Sequence, residues 1–175
     1  METVVGLEED IRVLIMGKHG TQTEYRSDKI GSQIESIVRA IHKPVLIASF
    51  PFQKPLSFLV AFDGSPTARK CVERIASSPL LKGLAVHLVY VGNPNSEMQN
   101  QLSWAKEQLE SQGFNITSNT LDGEVDKAII NYAEQHQIDL IVVGAYGHSK
   151  IRQFFIGSTT TKVITSTNKP VLLLR

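Results

Sequence analysis

The chain has 175 residues, 42% hydrophobic and 20% charged, and eighteen Lys and Arg against seventeen Asp and Glu leave a formal net charge of +1. This apolar content excludes a disordered chain, and the even charge balance excludes a surface built around nucleic acid or an anionic membrane. At roughly 150 residues per domain, the length falls between one domain and two.

In chain order, residues 1–10 carry Glu2, Glu8, Glu9 and Asp10 where a signal peptide would carry basic residues leading into an apolar stretch. No apolar run reaches the roughly 18 residues of a membrane span, so a cytoplasmic protein without a membrane partner is expected. Residues 11–49 then resemble residues 138–174. Ile11-Arg-Val-Leu-Ile-Met-Gly17-Lys-His-Gly20 parallels Ile138-Asp-Leu-Ile-Val-Val-Gly144-Ala-Tyr-Gly147, Gly31-Ser32 parallels Gly157-Ser158, and Lys43-Pro44-Val-Leu-Ile parallels Lys169-Pro170-Val-Leu-Leu. One residue slips between the second and third glycines. The two prolines of Phe50-Pro-Phe-Gln-Lys-Pro55 suit an extended connection. The chain therefore reads as the tail of one unit over 1–49, a linker over 50–55 and a whole unit over 56–175.

Within the whole unit, strand and helix alternate. Residues 56–62 predict a short apolar strand and Asp63-Gly64 a turn. Ser65 is a natural N-cap with Pro66 at the first helical position, and Ala68, Cys71, Val72, Ile75 and Ala76 form one helical face that ends before Pro79. The lone Cys71 forms no internal disulfide or cysteine-based zinc site and is expected in the core. A strand over 84–91 follows, then a helix over about 96–112 with Met98, Leu102, Ala105 and Leu109 inward and Gly113 at its end. Residues 114–120 alternate as a strand, and Val125, Ala128, Ile129, Tyr132 and Ala133 mark the inward face of a third helix. Residues 140–143 and 171–174 are continuous apolar strands of the kind buried on both faces, with a last helix over 158–167 between them. Such units imply an α/β fold, a parallel sheet with helices on both faces. Five strands fit the flavodoxin-like, Rossmann-like doubly wound class, order 3-2-1-4-5, whose ligands bind beyond the strand carboxyl ends where the order reverses.

The stretch from Gly144 to Thr159 follows a buried strand and opens a helix. Gly144, Gly147 and Gly157 let backbone amides approach a ligand, and Ser158 and Thr159 add two hydroxyls at a helix N-terminus, where an anion is favoured. Tight turns with an N-cap give the same pattern without a ligand. His148, Lys150 and Arg152 either reach phosphate oxygens or form a solvated charged face. Asp63 ends the first strand and Gly144 the fourth, which places them at the expected switch point, although an aspartate in a turn also bonds its own backbone. His87, inside a strand, reads as a satisfied core or edge residue, and Trp104 as packing for its helix.

Gly144-x-x-Gly147, nine residues, then Gly157-Ser158, with Pro170-Val-Leu-Leu-Leu beyond, resembles the nucleotide-binding signature of the universal stress protein family. Leu59-Val-Ala-Phe-Asp63-Gly-Ser65 resembles that family's first strand and aspartate, and Gly123 matches a habitual glycine. The resemblance covers 56–175, while 11–49 resembles the last third of a second such domain, which implies a tandem arrangement with a partial first copy. It implies an ATP site, with AMP or ADP as variants and Mg2+ arriving with the nucleotide. Asp63 would face the adenine and ribose side, the backbone of Val89 the adenine edge, Ala61 and Gly144 the ribose, and Gly147, Gly157, Ser158 and Thr159 the phosphates. The partial copy lacks a first strand with an aspartate, so it completes no pocket. The resemblance further implies that the last strands, 44–48 and 171–174, pair antiparallel as a homodimer or pseudo-dimer, leaving residues 13–16 near an edge.

The leading reading is an ATP-binding stress-response module whose occupancy alters conformation or association. An alternative is a nucleotide hydrolase or phosphotransferase on the same cradle. The chain has no Gly-x-x-x-x-Gly-Lys-Ser/Thr loop to supply the lysine such enzymes use, and no catalytic residue is assigned. A nucleotide-free interaction module is the third reading.

Overall fold

Residues 11–18, 32–144 and 158–174 are described by the structure, a computed structural model. Among them, the N-terminal segment forms β1 (Leu14–Gly17), α1 (Ser32–Ala40) and β2 (Val45–Ala48). These are followed by β3 (Ser57–Ala61), α2 (Pro66–Ser77), a 3-10 turn over Pro79–Leu81, β4 (Ala85–Val91), α3 (Ser96–Glu110), β5 (Ile116–Leu121), α4 (Val125–Gln135), β6 (Leu140–Gly144), α5 (Ser158–Ser166) and β7 (Val171–Leu174). The strands make one sheet in the order β1-β2-β7-β6-β3-β4-β5. Every pair is parallel except β2 and β7, which run antiparallel with Val45 opposite Leu173 and Ile47 opposite Val171. Numbered from β3, the strands β3 to β7 lie in the order 3-2-1-4-5, and β2 joins at the last of them.

Composition explains which strands lie where. β7 and the first four residues of β6 are buried on both faces, as their unbroken apolar runs require, whereas β1 and β5 contain no fully buried residue and take the two ends of the sheet. In β3 the alternation sorts side chains between two cores. Phe58 and Val60 pack with Cys71, Val72 and Ile75 of α2 and Ala105 and Leu109 of α3. Leu59 faces the opposite side, with Val38 of α1, Ile129 and Ala133 of α4 and Val163 of α5. Each such side chain contributes about 1.5–3 kcal/mol through burial. Cys71 is a core residue, and burial pushes its thiol up to about 12.

Helix ends follow local chemistry. Ser65 Oγ accepts from the Ala68 N–H at 3.2 Å with Pro66 at the first helical position, and Asn95 Oδ1 accepts from the Met98 N–H at 2.8 Å. α3 stops before Gly113, whose φ of +83 suits glycine. Some details differ from the sequence expectation: the strand expected over 114–120 is Ile116–Leu121, and the helix expected over about 96–112 ends at Glu110. The strand expected over 56–62 is β3, Ser57–Ala61, and Leu56 is 73% exposed; the N–H groups of Leu56 and Ser57 and the Ser57 hydroxyl donate to Asp139 Oδ2, at 2.9, 3.1 and 3.2 Å, which fixes the entry to the strand. Met98 and Leu102 are only partly buried against their core. Val125, expected inward, is 43% exposed, since it opens α4 at the rim of a cleft. Among the described residues no helix is long and apolar enough to cross a membrane.

Candidate functional site

β3 and β6 are direct neighbours, with Leu59 opposite Ile141 and Val60 opposite Val142. The chain leaves β3 into α2 on one face of the sheet, and α5, which follows β6 in sequence, packs on the other. Among the described residues, a cleft of about 370 Å³ opens at the carboxyl ends of these two strands. That volume lies within the range of small-molecule sites.

Six of the sequence-predicted residues line it: Ala61, Asp63, Val89, Gly144, Ser158 and Thr159. Gly147, His148 and Gly157 lie outside the described residues, as do Lys150 and Arg152. Asp63 stands at the mouth, and its Oδ1 accepts from the Ser65 N–H at 3.0 Å, so it does bond its own turn. A carboxylate retains further lone pairs for a ligand after one such bond. The turn needs Gly64, whose φ is +73 and where a Cβ would meet Gln101 Oε1 at 2.6 Å. The Val89 carbonyl already accepts from the Phe62 N–H at 2.9 Å, which leaves its backbone one further lone pair. Gly144 is needed for packing as well as for access, because a Cβ there would lie 2.9 Å from Thr67 Cγ2. Ser158 and Thr159 are the first residues of α5 and both are exposed. The opening N–H groups of a helix have no intrahelical acceptors, so this rim offers donors and the positive end of a dipole.

Sequence reasoning missed the rest of the lining. Tyr90 and Val91 extend the β4 wall, Val125 and Ile129 form an apolar side from α4, and Thr67, Thr160 and Val163 come from α2 and α5. The spacing of Val125 and Ile129 carried the signal, but helical periodicity does not distinguish a core-facing residue from one that faces a cleft. The cleft thus has an apolar end on β4 and α4 and a donor-rich end on α5.

His87, Tyr132, His136 and Trp104 are engaged outside the cleft lining. His87 Nδ1 lies 2.8 Å from the Tyr132 hydroxyl, which also accepts from Asn119 Nδ2 at 2.7 Å, and the His136 ring stacks on Tyr132 with centroids 4.1 Å apart. Trp104 packs against Phe62 and carries the Arg69 guanidinium 4.0 Å above its ring. Burial, and secondarily the charge of His136, lowers the His87 pKa below 6.5. The folded state therefore favours neutral His87, and that contribution is complete above the unfolded value and lost as the pH falls through about 6.5 toward the folded one. Thermal melts between about pH 7.5 and pH 5 should show the wild type losing more stability on acidification than His87→Asn. Equal losses would assign the dependence to other groups.

A family model described as the universal stress protein family matches residues 93–175. A universal stress protein of Synechocystis sp. is 38% identical over 177 residues, a match that takes in all of this chain and 62% of the relative's length. Among solved structures, a universal stress protein from Archaeoglobus fulgidus DSM 4304 aligns with 99% of this chain and 64% of its own at a TM-score of 0.70 and 20% identity, a likeness of fold. A universal stress protein from Archaeoglobus fulgidus in complex with dAMP aligns with 69% of this chain and 98% of its own, at a TM-score of 0.54 and 26% identity. The glycine-rich strand–helix junction, the switch-point cleft and a full-chain relative agree, and the chain belongs to the universal stress protein family.

Proposed function

We propose that the switch-point cleft binds an adenine nucleotide, ATP first and AMP or ADP through the same contacts, and that occupancy changes conformation or association in a cytoplasmic stress response. The observation that carries this reading is the convergence of Ala61, Asp63, Val89, Gly144, Ser158 and Thr159 on one cleft with an apolar end and a donor-rich end. The similar protein in complex with dAMP supports the ligand class. Asp63 takes the ribose and adenine side, the Val89 backbone the adenine edge, and Ala61 and Gly144 the ribose. Ser158 and Thr159, with Gly147, His148 and Gly157, take the phosphates. Magnesium arrives on those phosphates, and the hydroxyls of Ser158 and Thr159 are oxygen donors of the hard kind it prefers.

Residues 1–49 are read as the tail of a first domain of the same type, joined by 50–55 to the domain of 56–175. The pairing of β2 with β7 acts as a pseudo-dimer contact within the chain, and a homodimer covers the β1 edge, where Ile15 is 62% exposed. Protein purified without added nucleotide should release an adenine nucleotide on denaturation, or give binding heat when titrated with magnesium and ATP. No released nucleotide and no heat at about millimolar ATP, a typical weak-site concentration, overturns the reading.

A further inference from the structure

We infer that Lys18 is a positioning residue for the phosphate end of the cleft, acting through α5; this rests on the nucleotide reading above. Lys18 follows β1, and its N–H donates to the Ala48 carbonyl at 3.0 Å, which fixes its backbone to the end of the β1–β2 pair. Its side chain crosses to the C-terminal end of α5, where Nζ donates to the Thr165 carbonyl at 2.9 Å and the Thr167 carbonyl at 2.6 Å. The carbonyls of a last helical turn have no acceptor role left within the helix, and a cation there completes both their hydrogen bonds and the dipole. The turn that receives Lys18 is well fixed. Thr167 is 2% exposed, its N–H donates to the Val163 carbonyl at 3.1 Å, and its Oγ1 accepts from the Lys169 N–H at 3.1 Å. Desolvation lowers the Lys18 pKa, so the ammonium is held at a cost that only a specific set of acceptors offsets.

The same helix carries Ser158, Thr159, Thr160 and Val163 into the cleft. Nine residues of α-helix span roughly 13 Å, beyond the Debye length of about 8 Å at physiological salt, so direct attraction between the ammonium and a phosphate is largely screened. The coupling therefore runs through the placement of α5. Lys18 holds its far end against β1 and β2, and that hold sets where the opening N–H groups and hydroxyls point. The partial repeat thereby acts on the whole unit's site.

Lys18→Met keeps the aliphatic stem and removes the charge and donors, whereas Lys18→Arg keeps them. Titrated with magnesium and ATP, Lys18→Met should bind about 5-fold more weakly, in the usual range of coupling between sites, and Lys18→Arg should recover most of the difference. Adenosine, which has no phosphates to meet α5, should bind both variants as it binds the wild type. ATP affinity unchanged in Lys18→Met, or equal loss for ATP and adenosine, overturns the inference. Without any nucleotide, Lys18→Met should shift the backbone amide resonances of Ser158, Thr159 and Thr160; resonances that stay in place overturn it whether or not ATP binds. Absence of ATP binding to the unaltered chain, with those resonances shifted, instead overturns the nucleotide reading.

Discussion

Phe58→Ala is expected to destabilise the protein by about 3–5 kcal/mol, a large part of the roughly 5–15 kcal/mol that holds a domain folded. Phe58 is 0% exposed and sits in β3, with β4 and β6 on either side, opposite Val86 and Leu140. Its ring meets Phe114 edge to face, with centroids 6.2 Å apart at 85°. Truncation removes that contact and opens a cavity between the sheet and the helices α2 and α3. The neighbouring backbone cannot close it, because β3 is bonded along both edges. Phe114, in the connection before β5, is the neighbour freest to shift, and its movement would bring the cost toward the lower figure. Urea titration measures the loss directly, and a loss below about 1 kcal/mol would show that this face is not close-packed. Leu56→Ala serves as the contrast: one residue before the strand and 73% exposed, it should change stability by no more than about 0.5 kcal/mol.

Features written in local chemistry were legible in the sequence. The unbroken apolar runs identify β6 and β7, Ser65 with Pro66 identifies the start of α2, and Gly144 marks the strand end that lines the cleft. Asp63 and Gly144 were legible as neighbours because topology brings the ends of β3 and β6 together. What escaped was long-range or double in purpose. Asp139 fixes the entry to β3 from a position 82 residues away in the chain, and Lys18 reaches Thr165 across 147 residues. Neither contact leaves a periodic trace. Tyr132 reads as an apolar helix position, yet its hydroxyl gathers His87 and Asn119 at its polar end. Val125 and Ile129 occupy helical spacing that serves the core and the cleft alike.

Gly144→Val should lower ATP affinity at least tenfold, about 1.4 kcal/mol, and destabilise the fold by about 1–3 kcal/mol through overpacking. The new Cβ would stand 2.9 Å from Thr67 Cγ2, with the Thr67 carbonyl oxygen and carbon next at 3.5 and 3.6 Å. Thr67 is β-branched and near the start of α2, so its χ1 gives way reluctantly. β6 cannot retreat either, since it is paired with β3 on one side and β7 on the other. The first turn of α2 must therefore move outward, carrying Ser65 and the Asp63 turn that it anchors through the 3.0 Å bond from the Ser65 N–H. Two valine methyl groups would then also stand between the ends of β3 and β6, where the ribose is proposed to lie. Gly144→Ala separates the two effects: it brings the Cβ contact with Thr67 without the methyl groups, so it should retain more of the ATP affinity than valine does. Calorimetric titration with magnesium and ATP, run beside urea unfolding of both variants, distinguishes lost binding from lost folding. A folded Gly144→Val protein that binds ATP as tightly as the wild type would put the nucleotide somewhere other than this cleft.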